Sequence, residues 1–170
     1  MAIRDIRLYG DPILKAPTRQ VTEFGEALRE TIDDMIDSMY AHDGLGLAAN
    51  QIGIPSRIAV YDLGFVNGTD DEDILVMLNP EILEESGSQV GDEGCLSLPG
   101  ISEVVERPNR VRIRAQDLGG ETFEMTVEGL LARAFCHEME HLDGKLFIEN
   151  LSPSRLNGLS DRLKEIARVA

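Results

Sequence analysis

The sequence predicts an α+β fold in which antiparallel strands lie between helices. Apolar residues recur at helical spacing over residues 25–41, short strand-like runs fill residues 57–127, and helical spacing returns over 128–142. Helix, then strands, then helix is the order of an α+β domain, and it differs from the alternating strands and helices of a parallel sheet.

Each element has its own signal. The first helix is indicated by five apolar residues on one face: Leu28, Ile32, Met35, Ile36 and Met39. Five runs rich in β-branched residues predict the strands: 57–63, 74–78, 104–106, 111–115 and 122–127. The acidic stretch 67–73 is typical of a surface loop, and 118–120 of a hairpin turn. A C-terminal helix over 153–170 is predicted to begin after Ser152, a good N-cap, with Pro153 in its first turn.

Length and charge narrow the class of protein. We expect a single domain over residues 1–170, since one core can serve a chain of this length. No stretch approaches the roughly 20 apolar residues of a membrane span, so we expect a cytoplasmic protein without membrane contact.

The formal net charge of −15 argues against sequence-specific binding of nucleic acid. Residues 151–170 carry four basic side chains against two acidic ones, which makes this segment a candidate docking element.

The most specific short motif is HEMEH over residues 137–141. Its two histidines lie one helical turn apart, so one helix face can present both imidazoles to the same metal ion, with Glu138 between them. Structural core histidines are the alternative, but this pattern within a predicted helix favours metal binding. A catalytic site of this kind holds its ion with three protein ligands and leaves a position for water, so a third ligand is required.

The residues alone do not decide which side chain is the third metal ligand. A metzincin would place a histidine where Phe147 stands, and that family is excluded. A thermolysin-like protease would use a downstream glutamate, either Glu149 or Glu165. Cys95 lies in a glycine-flanked segment that could bring a thiolate close to an ion, whereas Cys136 is rotated away from the histidine face of the helix.

The glycine-rich segment 44–49 matches the dinucleotide-binding fingerprint in its letters but not in its predicted surroundings. That motif needs a strand before it and a helix after it, whereas here a helix precedes and Pro55 follows soon after. We therefore reject nucleotide binding. The better hypothesis is an extended segment whose small residues allow close approach of a substrate, with Gln51 offering its amide; a simple tight turn is the alternative.

Three segments stand together in the chain: GLGLAANQ over 44–51, EGCLS over 93–97 and HEMEHL over 137–142. Their order and spacing resemble the three signature motifs of the peptide deformylase family. The resemblance implies a small α+β fold with antiparallel sheets packed around a central metal-binding HExxH helix. It also implies removal of the formyl group from the N-terminal formyl-methionine of nascent polypeptides, which releases formate.

The resemblance assigns roles to individual residues. Cys95, His137 and His141 would hold one divalent metal ion, most often Fe²⁺ in this family, with Zn²⁺, Ni²⁺ or Co²⁺ as substitutes. Glu138 would transfer the proton, and Gln51 together with the backbone N–H of Leu96 would stabilise the oxyanion. Leu45 and Gly46 would line the approach of the N-formylmethionyl peptide, and the helix 153–170 would be the place for ribosome association.

Two positions depart from the family pattern. Residue 136 is Cys where the family most often has Gln, and residue 140 is Glu where Asp is usual. Both neighbour ligands without being ligands, so they bear on metal affinity. Two other functions remain to be separated: a zinc metalloendopeptidase that uses Glu149 or Glu165, and a non-catalytic protein with a structural metal site.

Overall fold

The computed structural model describes residues 2–170, and its elements follow the predicted order. The helices are α1 (Glu26–Ala41), α2 (Leu63–Asn67), α3 (Gly129–Leu142), α4 (Pro153–Gly158) and α5 (Ser160–Val169). The strands are β1 (Gly46–Ala48), β2 (Ile58–Asp62), β3 (Ile74–Ser86), β4 (Gln89–Cys95), β5 (Leu98–Arg107), β6 (Arg110–Gln116) and β7 (Thr122–Glu128). Single 3₁₀ turns cover Pro12–Lys15, Ala49–Ile52 and Phe147–Asn150. The predicted α+β class is confirmed.

Two antiparallel sheets carry the fold. Five strands form one sheet in the order β1-β2-β3-β6-β7, and β4 pairs with β5 in a separate ribbon. The hairpin predicted at residues 118–120 joins β6 to β7, and Gly120 supplies the positive φ of 83° there. Within residues 2–170, no helix is long and apolar enough to cross a bilayer.

Strand β3 is longer than the predicted run 74–78. Proline at position 80 normally ends strand pairing, but a bulge between Leu78 and Glu81 takes it out of the ladder. Asn79 adopts a positive φ of 52° at this bulge, and its amide bonds both backbone groups of Val21 and the side chain of Gln116. The strand therefore continues beyond the proline.

Strand β4 was not predicted at all. Its sequence contains two glycines and little β-branched character, so strand propensity is weak. It forms because it pairs along β5, which itself extends well beyond the predicted run 104–106. Tertiary pairing thus determines this ribbon, which ends at Cys95.

Three groups of buried side chains make up the core. Helix α3 packs on one face of the large sheet and α1 on the other, so residues of β2 alternate between the two groups. The third group joins β5 to the C-terminal region and includes Leu98, Phe147, Leu163 and Ile166. The single C-terminal helix predicted over 153–170 is instead two helices, α4 and α5. They meet at Leu159, which is buried in the third core group, and Ser152 caps the first of them as predicted.

Helix α3 ends in a Schellman motif. The N–H of Lys145 donates to the carbonyl of Glu140 over 2.8 Å, and that of Gly144 donates to the carbonyl of His141 over 3.0 Å. Gly144 has a φ of 79°, and a Cβ at this residue would lie 2.7 Å from the carbonyl oxygen of Lys15. Only glycine fits at the point where the helix turns away from its histidines.

We expect Gly144→Ala to destabilise the protein by more than the roughly 1–2 kcal/mol of a left-handed backbone, because the steric clash adds to it. Urea unfolding followed by circular dichroism measures this. Gly129→Ala separates the two causes, since Gly129 has a φ of 64° and open space around it. Gly158→Ala, at an open position in α4, should stabilise by about 0.4–1 kcal/mol. Equal losses for Gly144→Ala and Gly129→Ala would rule out the clash.

Candidate active site

Helix α3 carries three of the residues that the sequence singled out. His137 and His141 lie one turn apart, and their Nε2 atoms are separated by 3.2 Å. His141 is almost fully buried, and its burial lowers the pKa of the imidazole well below the usual value. A neutral imidazole is the form that binds a metal ion.

Cys95 reaches the same point from strand β4, where the pairing with β5 shifts register after Gly94. Its Sγ lies 3.3 Å from Nε2 of His141, and the ligand atoms of Cys95, His137 and His141 all lie within 4.8 Å of one another. An ion at 2.0–2.3 Å from each ligand, at tetrahedral angles, separates the ligand atoms by roughly 3.3–3.6 Å. Two imidazoles and a thiolate in this arrangement therefore fit one divalent transition-metal ion.

The two glutamates considered as alternative ligands lie elsewhere. Glu149 is exposed, and its carboxylate accepts a hydrogen bond from the backbone N–H of Leu146. Glu165 is exposed on α5. Cys136 is buried, and it lines a different cavity together with Glu140. Among residues 2–170, the candidate metal group is the one formed by Cys95 and the two histidines.

Gln51 lies beside this group in the 3₁₀ turn that follows β1. Its Oε1 accepts from the backbone N–H of Ala48, which leaves Nε2 directed at Oγ of Ser97, 3.3 Å away, and at Sγ of Cys95, 3.7 Å away. The neighbouring Asn50 donates to the carbonyl of His141 over 2.6 Å. The turn is thereby fixed to both the β4–β5 ribbon and α3.

Glu138 is buried beside the histidines. Burial raises the pKa of Glu138 to about 7, and its Oε2 has no hydrogen-bond partner among the described residues. Strand β1 passes close by, since a Cβ on Gly46 would lie 3.4 Å from Oε1 of Glu138. A carboxylate that ionises near neutral pH suits repeated proton transfer.

Glu93 orients one of the histidines. Its Oε1 lies 2.8 Å from Nδ1 of His137, and its two oxygens accept from Nε and Nη2 of Arg107 at 2.8 Å each. Arg133 adds a further hydrogen bond at 2.7 Å. Burial acts to raise the pKa of Glu93, but the hydrogen bonds from Arg107 and His137 lower it to about 2. An ionised Glu93 then holds His137 with Nε2 facing the metal position.

Sequence reasoning assigned no role to Glu93, Arg107 or Arg133. A usable signal was present: Arg133 lies one helical turn before His137, and Glu93 lies two residues before a candidate ligand. Charged side chains at buried positions must find opposite charges. Which charges meet depends on the pairing of β4 with β5, and that pairing was not predicted.

A cleft of about 550 Å³ opens over the site. Leu45 and Gly46 form one wall, and Cys95, Leu96 and Glu138 also line it. The apolar side chains along the rest of the cleft come from β5 and α3: Leu98, Ile101, Leu130 and Ala134. Gln51 and His137 line it as well, so every residue that the sequence singled out for metal, catalysis and substrate shares this opening except His141, which is buried.

Three candidate protein ligands at an open cleft, beside a carboxylate that ionises near neutral pH, are typical of metal-dependent hydrolases. Within this class, the polypeptide deformylase family model matches residues 3–157, and the chain belongs to that family. The family resemblance inferred from the three motifs is thereby confirmed, and with it the metal-dependent hydrolase activity.

Individual relatives support the same assignment. A peptide deformylase of Acidobacterium capsulatum is 49% identical over 99% of this chain and 98% of its own length. The crystal structure of a peptide deformylase from Legionella pneumophila superposes with a TM-score of 0.89, at 40% identity over 99% of this chain and 97% of that one. The peptide deformylase structure from Thermus thermophilus gives a TM-score of 0.89 at 38% identity and covers 99% of both chains.

We expect Glu93→Gln to destabilise the protein by about 3–5 kcal/mol, because it leaves two buried guanidinium groups without their shared counter-charge. Denaturant unfolding of metal-free protein measures this loss. Glu103→Gln is the matched control on the same ribbon, since Glu103 pairs with the exposed Arg155. That variant should lose less than about 1 kcal/mol. Similar losses for the two variants would contradict the structural role of Glu93.

Proposed function

We propose that this chain hydrolyses the N-terminal formamide of formyl-methionyl nascent peptides, and that Glu138 and Gln51 act together at one metal ion. The observation that carries the proposal is the convergence of the ligand atoms of Cys95, His137 and His141 at a cleft that Glu138 also lines. The products are formate and a peptide with a free amino terminus.

The metal in the cell is proposed to be Fe²⁺, held by Cys95, His137 and His141. A thiolate with two imidazoles also suits Zn²⁺, Ni²⁺ and Co²⁺, so these ions can replace it. When bound, the ion supplies Lewis acidity, which lowers the pKa of water and polarises the formyl carbonyl. An open cleft beside three protein ligands favours catalysis over a closed structural metal site.

Glu138 moves the proton. Its carboxylate accepts a proton from the attacking water and donates it to the leaving amine nitrogen as the C–N bond of the formamide breaks. A pKa near 7 makes both steps accessible to the same group. Only 5% of Glu138 is exposed, and that part faces the cleft, so a substrate bound there would shield the carboxylate from bulk water.

Gln51 and Leu96 stabilise the negative charge that develops on the formyl oxygen. The amide of Gln51 is held by Ala48, so its Nε2 donors already face the ligand group before substrate arrives. The backbone N–H of Leu96 immediately follows Cys95 and offers a second donor. Donors that need no reorganisation contribute most to an oxyanion site.

The substrate backbone is proposed to run along β1. This strand lies at the edge of the five-stranded sheet, and Leu45 and Gly46 line the cleft. An extended peptide can add to such an edge through main-chain hydrogen bonds. The apolar side chains of Leu98, Ile101, Leu130 and Ala134 then provide the surroundings for a methionine side chain.

The deciding experiment is formate release from formyl-Met-Ala-Ser by anaerobically purified, iron-loaded protein. We expect release by the wild type, and none by Cys95→Ala, which lacks the thiolate ligand. Glu138→Gln should retain the metal and lose at least about 10²-fold in kcat, the usual contribution of general acid–base catalysis.

An unformylated peptide, incubated in parallel and analysed for internal cleavage, distinguishes deformylation from proteolysis. Internal cleavage that persists in Cys95→Ala would replace the proposal with a metalloendopeptidase. Substantial formate release by Glu138→Gln would remove Glu138 from the role of proton carrier.

Gln51→Ala should lower kcat by about 10²–10³-fold with little change in KM, because the lost donor acts mainly in the transition state. Ser97→Ala is the control, since Oγ of Ser97 only accepts a hydrogen bond from Nε2 of Gln51. It should retain most of the activity. An unchanged kcat/KM in Gln51→Ala would exclude the oxyanion role.

Ribosome association is proposed through the outer face of α5. Lys164 and Arg168 are exposed and make no ion pair among the described residues, whereas Arg155 is paired with Glu103. Leu163 and Ile166 on the opposite face are buried in the third core group. Removal of the whole segment would therefore disturb the core, and charge reversal is the cleaner test.

Lys164→Glu/Arg168→Glu should weaken binding to ribosomes in cosedimentation, and the binding of wild type should fall as salt is raised. Arg29→Glu/Lys145→Glu makes the same charge change at exposed positions elsewhere and should bind as the wild type does. Both variants should keep full activity on a short formyl-peptide. Equal ribosome binding by all three proteins would refute docking through α5.

A further inference from the structure

We propose that Glu140 is a positioning residue for the metal site, acting through Arg107 and Glu93 on His137. This inference rests on the metal site of the proposed function and adds to it a residue that does not touch metal or substrate. Glu140 lies on α3 next to a ligand in sequence, but its carboxylate lines the cavity on the other side of the helix.

The contacts form a continuous chain. Oε1 of Glu140 accepts a hydrogen bond from Nη1 of Arg107. The remaining donors of that guanidinium, Nε and Nη2, each contact one oxygen of Glu93 at 2.8 Å. Glu93 in turn lies 2.8 Å from Nδ1 of His137. Every link joins charged or aromatic side chains of restricted geometry, so a shift of Arg107 reaches the imidazole.

Glu140 also balances charge in this series of contacts. Arg107 and Arg133 are both buried and both contact Glu93, so Glu93 alone leaves one positive charge in excess. Glu140 supplies the second negative charge, and the four groups together are neutral. An uncompensated positive charge behind His137 would oppose binding of a divalent cation.

Glu140 is itself held in place from outside the helix. Nδ2 of Asn150 donates to both of its oxygens, at 3.0 and 3.1 Å. Asn150 ends the 3₁₀ turn Phe147–Asn150, and Phe147 belongs to the third core group. The carboxylate is therefore anchored by a segment that contributes no metal ligand.

The experiment measures metal affinity rather than turnover. Metal-free wild type, Glu140→Gln and Glu140→Asp are titrated with Zn²⁺ in competition with a chromophoric chelator. We expect Glu140→Gln to bind about 10–100-fold more weakly, the usual effect of losing a residue that supports a ligand. Glu140→Asp, which keeps the charge, should recover most of that loss.

Asp143→Asn is the matched control. Asp143 also lines this cavity and carries the same charge, but it pairs with Arg57 at 2.8 Å and not with Arg107. Its affinity should stay within about twofold of wild type, as expected for an exposed pair. Asn150→Ala keeps the charge of Glu140 and releases its anchor, so it should weaken binding by less than Glu140→Gln does.

Co²⁺ spectra and thermal unfolding of the metal-free proteins separate positioning from general stability. Glu140→Gln should alter the cobalt–thiolate absorption. It should lower the apo unfolding temperature by less than Glu93→Gln does, because the side chain of Glu140 is 21% exposed whereas that of Glu93 is 5% exposed. Equal Zn²⁺ affinities of Glu140→Gln and Asp143→Asn, or a cobalt–thiolate absorption of Glu140→Gln identical to that of wild type, would overturn the inference. Failure of the underlying metal site is a different result: Cys95→Ser would then bind Zn²⁺ as tightly as wild type does.

Discussion

The carboxylate of Glu93 is the constraint on which the rest of the site depends. It extends from β4, accepts from Arg107 of β5, and meets both Arg133 and His137 of α3. One buried group thus fixes the ribbon that supplies Cys95 against the helix that supplies the two histidines. A buried charge is stable only when its partners are complete, so this cluster forms as a unit or leaves charges unpaired. This requirement fixes the relative position of Cys95 and the two histidines, the candidate metal ligands.

Helix α3 is held at both ends of its functional stretch. Glu93 fixes the ring of His137, Asn50 bonds the carbonyl of His141, and the turn at Gly144 fits against the backbone of Lys15. Different faces of the helix then serve different purposes. The ligand face opens to the cleft, while Cys136 and Glu140 line the opposite cavity, where the charge of Arg107 is balanced. A substitution on the far side of the helix therefore leaves the side chains that line the cleft unchanged.

Much of this was readable in the sequence, and the limits have physical causes. The HEMEH motif and the first helix are local patterns, so the 3.6-residue period predicted both of them. The third ligand was not a local property: elimination left Cys95 beside Glu149 and Glu165, and only family resemblance favoured the cysteine. Strand β4 and the bulge at Asn79 depend on partners far away in sequence. The roles of Glu93, Arg107 and Arg133 follow from that unpredicted pairing, so the spacing of Glu93 and Arg133 from the candidate ligands was not enough to assign them.

The glycine-rich segment forms an edge strand and also packs closely against buried side chains. As the outermost strand of its sheet, β1 has main-chain groups that a peptide can pair with. Its Gly46 also pairs with Tyr61 of β2 and lies close to Glu138. A Cβ on Gly46 would lie 3.1 Å from the ring of Tyr61 and 3.4 Å from the carboxylate of Glu138. A larger side chain would therefore fit only if the ring of Tyr61 or the strand itself shifted by a few tenths of an ångström. Glycine therefore lets the edge strand lie within contact distance of the carboxylate that we propose as the proton carrier.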